Sequence, residues 1–554
     1  MTTTADLETL LAAHENDAFA PDALAALDHR EEFPVGAVHL LDDAGLPAHY
    51  VLPTDGDLGE TVALLRTVAR RDLTVAIAHG KTFLGAAPVW VAGTRDQAAR
   101  LAARVRAGEP VCWGLTERHH GADLLAGEFA AAADTDTGAD GDGAGWRLTG
   151  EKWLINNATR STLACVLART DAAGGARGFS LFLVDKSRLP EGAWRNLPKV
   201  RTHGIRGADI SGFVLDGAPV PADALIGQEG DGIPVVLKTL QLTRVTCAAL
   251  SLGAADHALR LARDFVIGRE LYGRRLADVP HVRRILGRAA AAALTAEAVS
   301  VLSARSVHTL PGELSAVSAI TKAYVPTLTQ ETLGALGELL GVRGFLTSPP
   351  GGGFAKLERD HRICAIFDGS TAVNRAALLN QMPRLARQLS RRRTDGEGLR
   401  AAADLTAPLP PFAPDRLTLL SVTGCSAVQA LPDLAALLRR QGPPEAGPLL
   451  DLLLAELARL EEESADFVPV AGGLPSTAFR LAEAYERAYA SASCLLLWLE
   501  NPHLRAGGLG GNALWLRACL TVLLGVDDSK VLDTLAEAVL RTPAPEFTLL
   551  GGAA

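Results

Sequence analysis

Apolar residues recur at helical spacing over about the first 110 residues of the chain. Residues 56–73 carry leucine and valine at intervals of three and four. Residues 95–107 follow Thr94, a residue type suited to an N-cap, and end before Gly108. These patterns predict two helices within an N-terminal helical domain that covers residues 1–110.

The periodicity changes at Val111, where short apolar runs broken by turn residues begin. Four of these runs are predicted strands, at residues 147–150, 163–168, 179–184 and 213–217. Residues 137–143 and 173–175 are rich in glycine and are predicted hairpin connections. The spacing predicts a middle β-barrel or sandwich domain over residues 111–232.

Long helical patterns follow the predicted β-domain. They cover residues 234–269, 279–308, 313–340 and 372–389, which predicts a four-helix bundle domain over residues 233–393. A polar, proline-containing stretch at residues 394–415 is predicted as a linker, and helical patterns at residues 447–463 and 477–501 follow it. The predicted fold class is therefore α+β, mainly α, with an extra C-terminal helical domain over residues 394–554.

The composition is that of a globular protein, with 48% hydrophobic and 21% charged residues. The net charge of −9 and the scattered basic residues give no support for nucleic-acid binding. The N-terminus lacks the basic and apolar regions of a signal peptide. No uncharged apolar run approaches the roughly 18–20 residues of a membrane span. We therefore expect a cytoplasmic protein without a membrane span.

Seven cysteines stand far apart along the chain, without a CxxC pair. An odd and dispersed set predicts buried thiols in a reducing compartment rather than disulfides or a metal site. The adjacent His119 and His120 lack partnered carboxylates in the sequence and are interpreted as surface residues. No bound metal is expected.

Two segments of the predicted β-domain could hold a flat polar ligand. Residues 115–123 (LTERHHGAD) can present backbone amides and a hydroxyl from a turn after a strand. Residues 150–157 (GEKWLINN) contain Asn156, which could exchange hydrogen bonds with a cofactor. The structural alternatives are a capped turn for the first segment and a core tryptophan with a turn-forming asparagine for the second.

Two further segments carry charged groups next to predicted helices. Residues 359–371 (RDHRICAIFDGST) can simply cap the following helix. The alternative is that Asp368, flanked by the apolar Ile366 and Phe367, is desolvated and serves as a general base. The arginines of residues 269–275 (RELYGRR) either complement the dipole at a helix end or clamp a diphosphate.

The order and spacing of the four segments resemble those of the acyl-CoA dehydrogenase family over about residues 1–390. Residues 116–123 are similar to the family's Thr-Glu-Pro-Gly-x-Gly-Ser-Asp signature, and residues 150–157 to its Gly-x-Lys-x-Trp-Ile-Thr-Asn signature. Residues 367–370 resemble its Tyr-Glu-Gly-Thr motif, and residues 269–273 its Arg-x-x-Phe-Gly segment. The resemblance implies an FAD enzyme with helical, β and four-helix domains in this order.

The resemblance also implies roles for individual residues. Asp368 would remove the α-proton of an acyl thioester while the β-hydride passes to the flavin, which leaves an α,β double bond. The residues that would bind substrate are Arg244, Phe367 and Gly369. Those that would bind FAD are Trp113, Leu115, Thr116, Ala122, Leu154, Asn156 and Ser370, and, from a neighbouring subunit, Arg269, Tyr272, Glu338, Gly341 and Val342.

The chain departs from the family pattern near these groups. Asp368 replaces the usual glutamate, which is one methylene longer. Thr243 occupies the position that carries the base in a subgroup, so Asp368 is the better candidate. The substituted signature positions are Arg118, His119, Ala122, Leu154 and Asn156.

Three functions follow from these residues. The first is a dehydrogenase of acyl-CoA or acyl carrier protein thioesters that passes electrons to an electron-transfer flavoprotein or to oxygen. The second is a flavin oxidase or monooxygenase, since nitroalkane oxidases of the same superfamily use an Asp base. The third is a non-catalytic FAD scaffold, against which the acid retained at position 368 argues. The resemblance further implies a homodimer, because some larger relatives carry a C-terminal extension where a second dimer would sit.

Overall fold

The computed structural model describes residues 2–53, 56–134, 145–347, 353–470, 473–542 and 547–549. The chain forms two compact units. The first unit contains the residues up to Val68 together with Asp72–Thr243, and the second contains Ala69–Arg71 together with the residues from Arg244 onward. The molecule is 63% helical with one large sheet, which confirms the predicted α+β, mainly α class. The boundaries of the four predicted domains stay a prediction.

The first part of the chain contains six helices. They are α1 (Thr4–Ala13), α2 (Pro21–Arg30), α3 (Val35–Asp43), α4 (Leu58–Arg71), α5 (Leu73–Ala92) and α6 (Arg95–Arg106). Helix α6 begins with the predicted N-cap Thr94, which forms a capping box with Gln97. The helix predicted over residues 56–73 ends early, because Asp72 is extended and its carboxylate caps α5 instead. Helix α5 is buried on nearly all sides, so its sequence lacks an amphipathic pattern.

Eight strands of the first unit form one sheet. They are β1 (Val111–Gly114), β2 (Ala130–Asp134), β3 (Gly145–Asn156), β4 (Leu163–Arg169), β5 (Phe179–Asp185), β6 (Trp194–Leu197), β7 (Ile210–Pro221) and β8 (Leu225–Ile226). The order is β6-β7-β3-β2-β4-β5-β8, with β1 parallel to β4. Helix α5 packs on β1 and β4. Strand β4 is consequently buried along almost its whole length.

Two hairpin connections were predicted within this sheet. Strands β4 and β5 pair antiparallel, and Gly174 and Gly175 between them adopt positive φ angles of 71° and 80°, so this hairpin is confirmed. The connection predicted at residues 137–143 lies outside the described residues. The strands that flank it, β2 and β3, pair antiparallel.

The next part of the chain is helical except for one small hairpin. Its elements are α7 (Gly232–Thr246), α8 (Ala248–Gly268), β9 (Glu270–Leu271), β10 (Arg274–Arg275), α9 (Pro280–Thr309), α10 (Leu314–Leu340), α11 (Gly353–His361) and α12 (Thr371–Arg391). Helix α10 packs against α8, α9 and α12, as expected for a bundle. The helix predicted over residues 234–269 is interrupted at Cys247, and α11 was not predicted.

The remaining helices pack on the bundle. They are α13 (Gly396–Ala403), α14 (Ser426–Gln429), α15 (Leu431–Gln441), α16 (Gly447–Ala465), α17 (Ala478–Glu500), α18 (Gly507–Gly510), α19 (Leu514–Leu523) and α20 (Ser529–Arg541). Helices α13, α17, α19 and α20 contact α9, and α16 and α17 contact α12. Helix α20 approaches α9 so closely that a Cβ at Gly287 would lie 2.0 Å from the Leu532 carbonyl oxygen.

A buried ion pair joins α12 to α17. The Arg375 guanidinium donates from Nε to Glu486 Oε1 at 2.9 Å and from Nη2 to Glu486 Oε2 at 3.0 Å. It also donates to Glu483 at 2.5 Å. Burial raises the pKa of Glu486 to about 7. A bidentate pair of this kind fixes both the distance and the orientation of the two helices.

The predicted linker at residues 394–415 is wrong in part. This stretch contains α13, whose Leu399, Ala402 and Ala403 are buried. The guanidinium of Arg305 in α9 donates to the carbonyls of Ala402, Asp404 and Ala407. The prolines and polar residues suggested a flexible connection, but three backbone carbonyls of this stretch accept hydrogen bonds from the half-buried Arg305.

Three helical segments are long and apolar enough to cross a membrane by length and composition alone. They are Leu73–Ala92, Gly232–Gly268 and Pro280–Thr309. The most apolar windows of these segments are 83%, 89% and 83% buried inside the protein. Each segment contains at least one charged residue, so none of the three is an uncharged apolar run. Their burial accounts for their apolar composition.

Leu399→Ala tests whether α13 is part of the packed structure. Removing this buried side chain should lower the free energy of unfolding by about 2–5 kcal/mol, because it leaves a cavity. Chemical denaturation measures this loss, with the exposed neighbour Arg400→Ala as the control. Equal stability of the two variants would mean that residues 394–415 behave as a linker after all.

Candidate active site

The structure brings the first two predicted segments together in the first unit. The Trp153 backbone N–H donates to the Thr116 carbonyl at 3.0 Å, and the Thr116 hydroxyl donates to the Trp153 carbonyl at 2.7 Å. The loop after β1 is thereby fixed to β3 near the end of that strand. Leu115, Thr116 and Leu154 consequently lie close to each other, although about 40 residues of chain separate the two segments.

A buried ion pair holds this loop in place. Lys152 Nζ lies 2.8 Å from Glu117 Oε1 and donates to the Leu115 carbonyl at 3.0 Å. The Glu117 carboxylate also accepts the backbone N–H groups of Glu128 and Phe129. Burial lowers the pKa of Lys152 to about 8. Burial acts to raise the pKa of Glu117, but the charge of Lys152 and the hydrogen bonds outweigh it, so that pKa is lowered.

Strand β3 ends in an irregular turn that exposes Leu154. The pairing of β3 with β7 shifts register between Trp153 and Ile155, and Leu154 has a φ of 59°. Such a bulge re-aims a side chain, and Leu154 is 45% exposed within a strand. Leu154 is therefore available to a ligand.

Three buried polar atoms in this part of the first unit lack a partner among the described residues. Trp113 Nε1 is a donor, and Asn156 Oδ1 and Asn157 Oδ1 are acceptors. An unpaired buried polar atom is costly. A flat ligand with polar edges, such as a flavin, supplies both kinds of partner. The residues present in the first unit therefore fit FAD.

The remainder of the first segment forms an exposed turn. The Glu117 N–H donates to the His120 carbonyl, and His120 Nδ1 lies 2.9 Å from Asp123 Oδ2, which raises the pKa of His120. Ala122 is exposed in this turn. The described residues contain no cluster of three His, Cys, Asp or Glu suited to a metal.

Asp368 lies at the N-terminal end of α12 in the second unit. Its backbone is in the left-handed region, with φ 53°, and Gly369 follows at φ 90°. The Arg244 guanidinium donates to the Asp368 carbonyl at 3.3 Å, and the Cys247 thiol donates to Asp368 Oδ2 at 3.0 Å. Burial lowers the pKa of Arg244 to about 10, and the charge of Asp368 acts against this, so Arg244 remains a cation.

A buried lysine and an asparagine hold the residues around Asp368. Lys322 of α10 donates to the Cys364 carbonyl at 2.7 Å and to the Gly369 carbonyl at 3.2 Å. Its Nζ lies 5.1 Å from the centre of the Phe367 ring. Asn374 donates to the Gly369 carbonyl at 2.8 Å. The turn that presents the Asp368 carboxylate is therefore fixed from two helices.

The prediction that Ile366 and Phe367 desolvate the Asp368 carboxylate is wrong. Ile366 is 60% exposed and Asp368 is half-buried, so the two flanking apolar residues do not enclose the carboxylate. Ser370 acts as the N-cap of α12 and accepts the Val373 N–H at 3.3 Å. The capping alternative therefore holds for Ser370, while Asp368 stands two residues before this N-cap.

The residues predicted to reach a neighbouring subunit are exposed. Arg269 and Tyr272 belong to the hairpin of β9 and β10, and Tyr272 at its tip is fully exposed. Glu338, Gly341 and Val342 lie at the end of α10, also exposed. Arg343 lies over the Phe265 ring at 5.4 Å, which ties this turn to the end of α8.

Five residues of the site were missed by sequence reasoning, namely Glu117, Lys152, Cys247, Lys322 and Asn374. Glu117 and Lys152 stood within the quoted segments, and a lysine inside an apolar strand is a usable signal, because a buried ammonium needs a carboxylate or carbonyl partner. Lys322 and Cys247 gave no signal, since both lie within continuous helical patterns far from Asp368 in sequence.

Comparison with known proteins identifies the family to which two stretches of the chain are similar. Residues 112–218 match the family described as acyl-CoA dehydrogenase, middle domain, and residues 230–382 match acyl-CoA dehydrogenase, C-terminal domain. The probable acyl-CoA dehydrogenase FadE25 of Mycobacterium tuberculosis is 27% identical over 378 residues, which cover 67% of this chain and 93% of that protein.

Two solved structures have a similar fold. An acyl-CoA dehydrogenase complexed with FAD from Bacillus anthracis has a TM-score of 0.66 at 18% identity, over 97% of this chain and 87% of that one. The prolyl acyl carrier protein oxidase AnaB has a TM-score of 0.60 at 18% identity, over 68% of this chain and 97% of that one. The first similarity includes the C-terminal helices.

The fold and the matched relatives indicate a flavin-dependent oxidoreductase whose cofactor is FAD. More specifically, the domains over residues 112–218 and 230–382 belong to the acyl-CoA dehydrogenase family.

Glu117→Gln tests the role of the buried ion pair in the first unit. The change leaves the Lys152 ammonium without a charged partner and should lower the free energy of unfolding by about 3–5 kcal/mol at pH 7. Release of FAD on heating, followed by flavin fluorescence, should begin at a lower temperature. Glu151→Gln, which loses only the exposed pair with Arg118, is the control.

The pH dependence of the wild type gives a second measurement. Because the folded pKa of Glu117 is lowered, its contribution is complete above the ordinary glutamate pKa and is lost as pH falls through the folded value. The stability difference between wild type and Glu117→Gln should therefore shrink on acidification. A difference that is constant with pH would contradict the assigned ion pair.

Proposed function

We propose that this protein is an FAD-dependent dehydrogenase that oxidises an acyl thioester at its α and β carbons, with Asp368 as the base. The observation that carries the proposal is the fixed presentation of Asp368. Its carboxylate stands at a left-handed turn before α12, and Arg244, Lys322 and Asn374 hold the adjacent carbonyls.

The proposed reaction needs one proton acceptor from the chain. The Asp368 carboxylate takes the α-proton of the thioester, and the electron pair of the broken C–H bond forms the new double bond with the β carbon. FAD, when bound, supplies the acceptor for the hydride that leaves the β carbon. Trp113, Leu115, Thr116, Leu154 and Asn156 would hold this cofactor.

Asp368 reaches less far than a glutamate would. A base must lie within hydrogen-bond reach of the proton it removes, so the thioester or the turn has to sit closer here. The hydrogen bonds from Arg244 and Lys322 hold the turn in one conformation. A fixed turn keeps the short Asp368 side chain oriented toward the thioester.

The thioester carrier is proposed to be coenzyme A. The matching Mycobacterium tuberculosis protein is a probable acyl-CoA dehydrogenase and covers the same two thirds of the chain. The similarity of fold to a prolyl acyl carrier protein oxidase makes a carrier-bound acyl group the alternative. The electron acceptor would be an electron-transfer flavoprotein.

A flavin oxidase is the second candidate function. The Asp at position 368, where the family pattern has Glu, and the fold shared with an acyl carrier protein oxidase favour it. This function differs in one measurable property, because oxygen would reoxidise the reduced flavin rapidly and without a partner protein.

Homodimer formation is also proposed. Tyr272, Val342 and Phe345 are exposed by 104%, 74% and 85% and belong to the segments that would reach a neighbouring subunit. Large apolar side chains exposed together on one part of a protein mark an interaction surface. A second copy of the chain would cover these residues.

Asp368→Asn is the direct test of the proposed base. Anaerobic titration with acyl-CoA and carrier-bound thioesters should bleach the flavin band of the wild type. The variant should keep its FAD and bleach about 100- to 10,000-fold more slowly, because the proton acceptor is lost. Asp368→Glu should retain part of the rate, and Asp451→Asn, at an exposed pair with Arg439, is the control.

The outcomes of this titration separate the functions. Equal bleaching rates in wild type and Asp368→Asn would contradict the assigned base. Bleaching only by carrier-bound thioesters would replace coenzyme A by a carrier protein as the acyl donor. Flavin that no thioester reduces would favour an oxidase with another substrate, and fast reoxidation in air would do the same.

The double change Val342→Glu with Phe345→Glu tests the proposed dimer. Two carboxylates in an apolar contact should halve the mass measured by light scattering, because buried unpaired charges are costly. Leu419→Glu with Val422→Glu, at exposed apolar positions elsewhere in the second unit, is the control. A wild-type mass for the first variant would place the interface elsewhere.

A further inference from the structure

Cys247 lies in direct contact with the proposed base. Its Sγ is 3.0 Å from Asp368 Oδ2, and the thiol donates to the carboxylate. We infer that Cys247 is a positioning residue that orients the Asp368 carboxylate for proton removal. This inference rests on the proposed function of Asp368.

The place of Cys247 in the fold supports this role. It separates α7 from α8, and its side chain is buried. Arg244, one turn earlier, donates to the Asp368 carbonyl. One helix end therefore contacts both the backbone and the side chain of Asp368, which sets where the carboxylate points relative to its own turn.

The bonds around Asp368 divide into two kinds. Those from Arg244, Lys322 and Asn374 end on backbone carbonyls and fix the turn. The bond from Cys247 ends on the carboxylate itself and fixes its rotation.

A thiol suits this position because it is a weak donor. A carboxylate that accepts strong hydrogen bonds becomes a weaker base. A hydroxyl at position 247 would orient the carboxylate but reduce its basicity, whereas a thiol orients it at a smaller loss of basicity. An apolar side chain would provide neither effect.

Arg244 from α7 and Lys322 from α10 are charged groups that face this turn. Both donate to backbone carbonyls of the turn, and both are retained in a variant changed only at position 247. If Cys247→Ala and Cys247→Ser shift the pH profile in opposite directions, the cause is therefore the hydrogen-bond donor at position 247.

The test compares Cys247→Ala and Cys247→Ser in the FAD-loaded full chain, using a thioester that the wild type oxidises. Cys247→Ala should lower kcat about tenfold with little change in KM, because the carboxylate loses its orientation. The pH at half-maximal kcat/KM should rise by about half a unit in Cys247→Ala and fall in Cys247→Ser. Cys519→Ala, a buried thiol of α19, should leave this pH unchanged.

An infrared measurement tests the contact without turnover. The S–H stretching band of Cys247, assigned by its loss in Cys247→Ser, should move to higher frequency in Asp368→Ala, where the acceptor is missing. An unmoved band overturns the inference, and so does a Cys247→Ala variant with a wild-type pH profile and kcat. If Asp368→Asn is inactive in that case, the base assignment stands and only the role of Cys247 fails. An active Asp368→Asn overturns both.

Discussion

The turn at Asp368 depends on a buried ammonium group. Lys322 lies inside the helical bundle with almost no exposure, and its charge is tolerable only where carbonyl oxygens surround it. The turn supplies two of them, from Cys364 and Gly369. Asp368 and Gly369 adopt left-handed backbone conformations within this turn. The lysine and the strained turn therefore stabilise each other, and the position of the candidate base follows from their contact.

In the first unit, a buried lysine likewise fixes the loop after β1. Lys152 lies inside the sheet and binds the Leu115 carbonyl, as Lys322 binds the carbonyls around Asp368. It differs in having a carboxylate partner, Glu117, which also gathers two backbone N–H groups. In both units, a lysine drawn from a regular element fixes an irregular loop. The loops can therefore carry exposed or unpaired groups without losing their shape.

The sequence predicts those parts of this structure whose pattern is local. The capping box of α6, the hairpin at Gly174 and the long helices α9, α10 and α12 follow from spacing and turn residues alone. Helix α5 was not predicted because burial on nearly all sides removes the amphipathic signal. Helix α13 was not predicted because the prolines and charged residues around it resemble those of a linker. The pair of Cys247 and Asp368 could not be found, since 121 residues separate two groups that only the folded bundle joins.

The Arg375 pair with Glu486 has a consequence for how this chain can have evolved. Arg375 lies one turn into α12, the helix that begins beside the candidate base, and its partner belongs to the C-terminal helices, beyond the residues that match the family. Recombination that separated the two parts would leave a guanidinium buried in one product and a carboxylate buried in the other. A substitution at either member of this ion pair therefore changes how the C-terminal helices are held against the helix that begins beside Asp368.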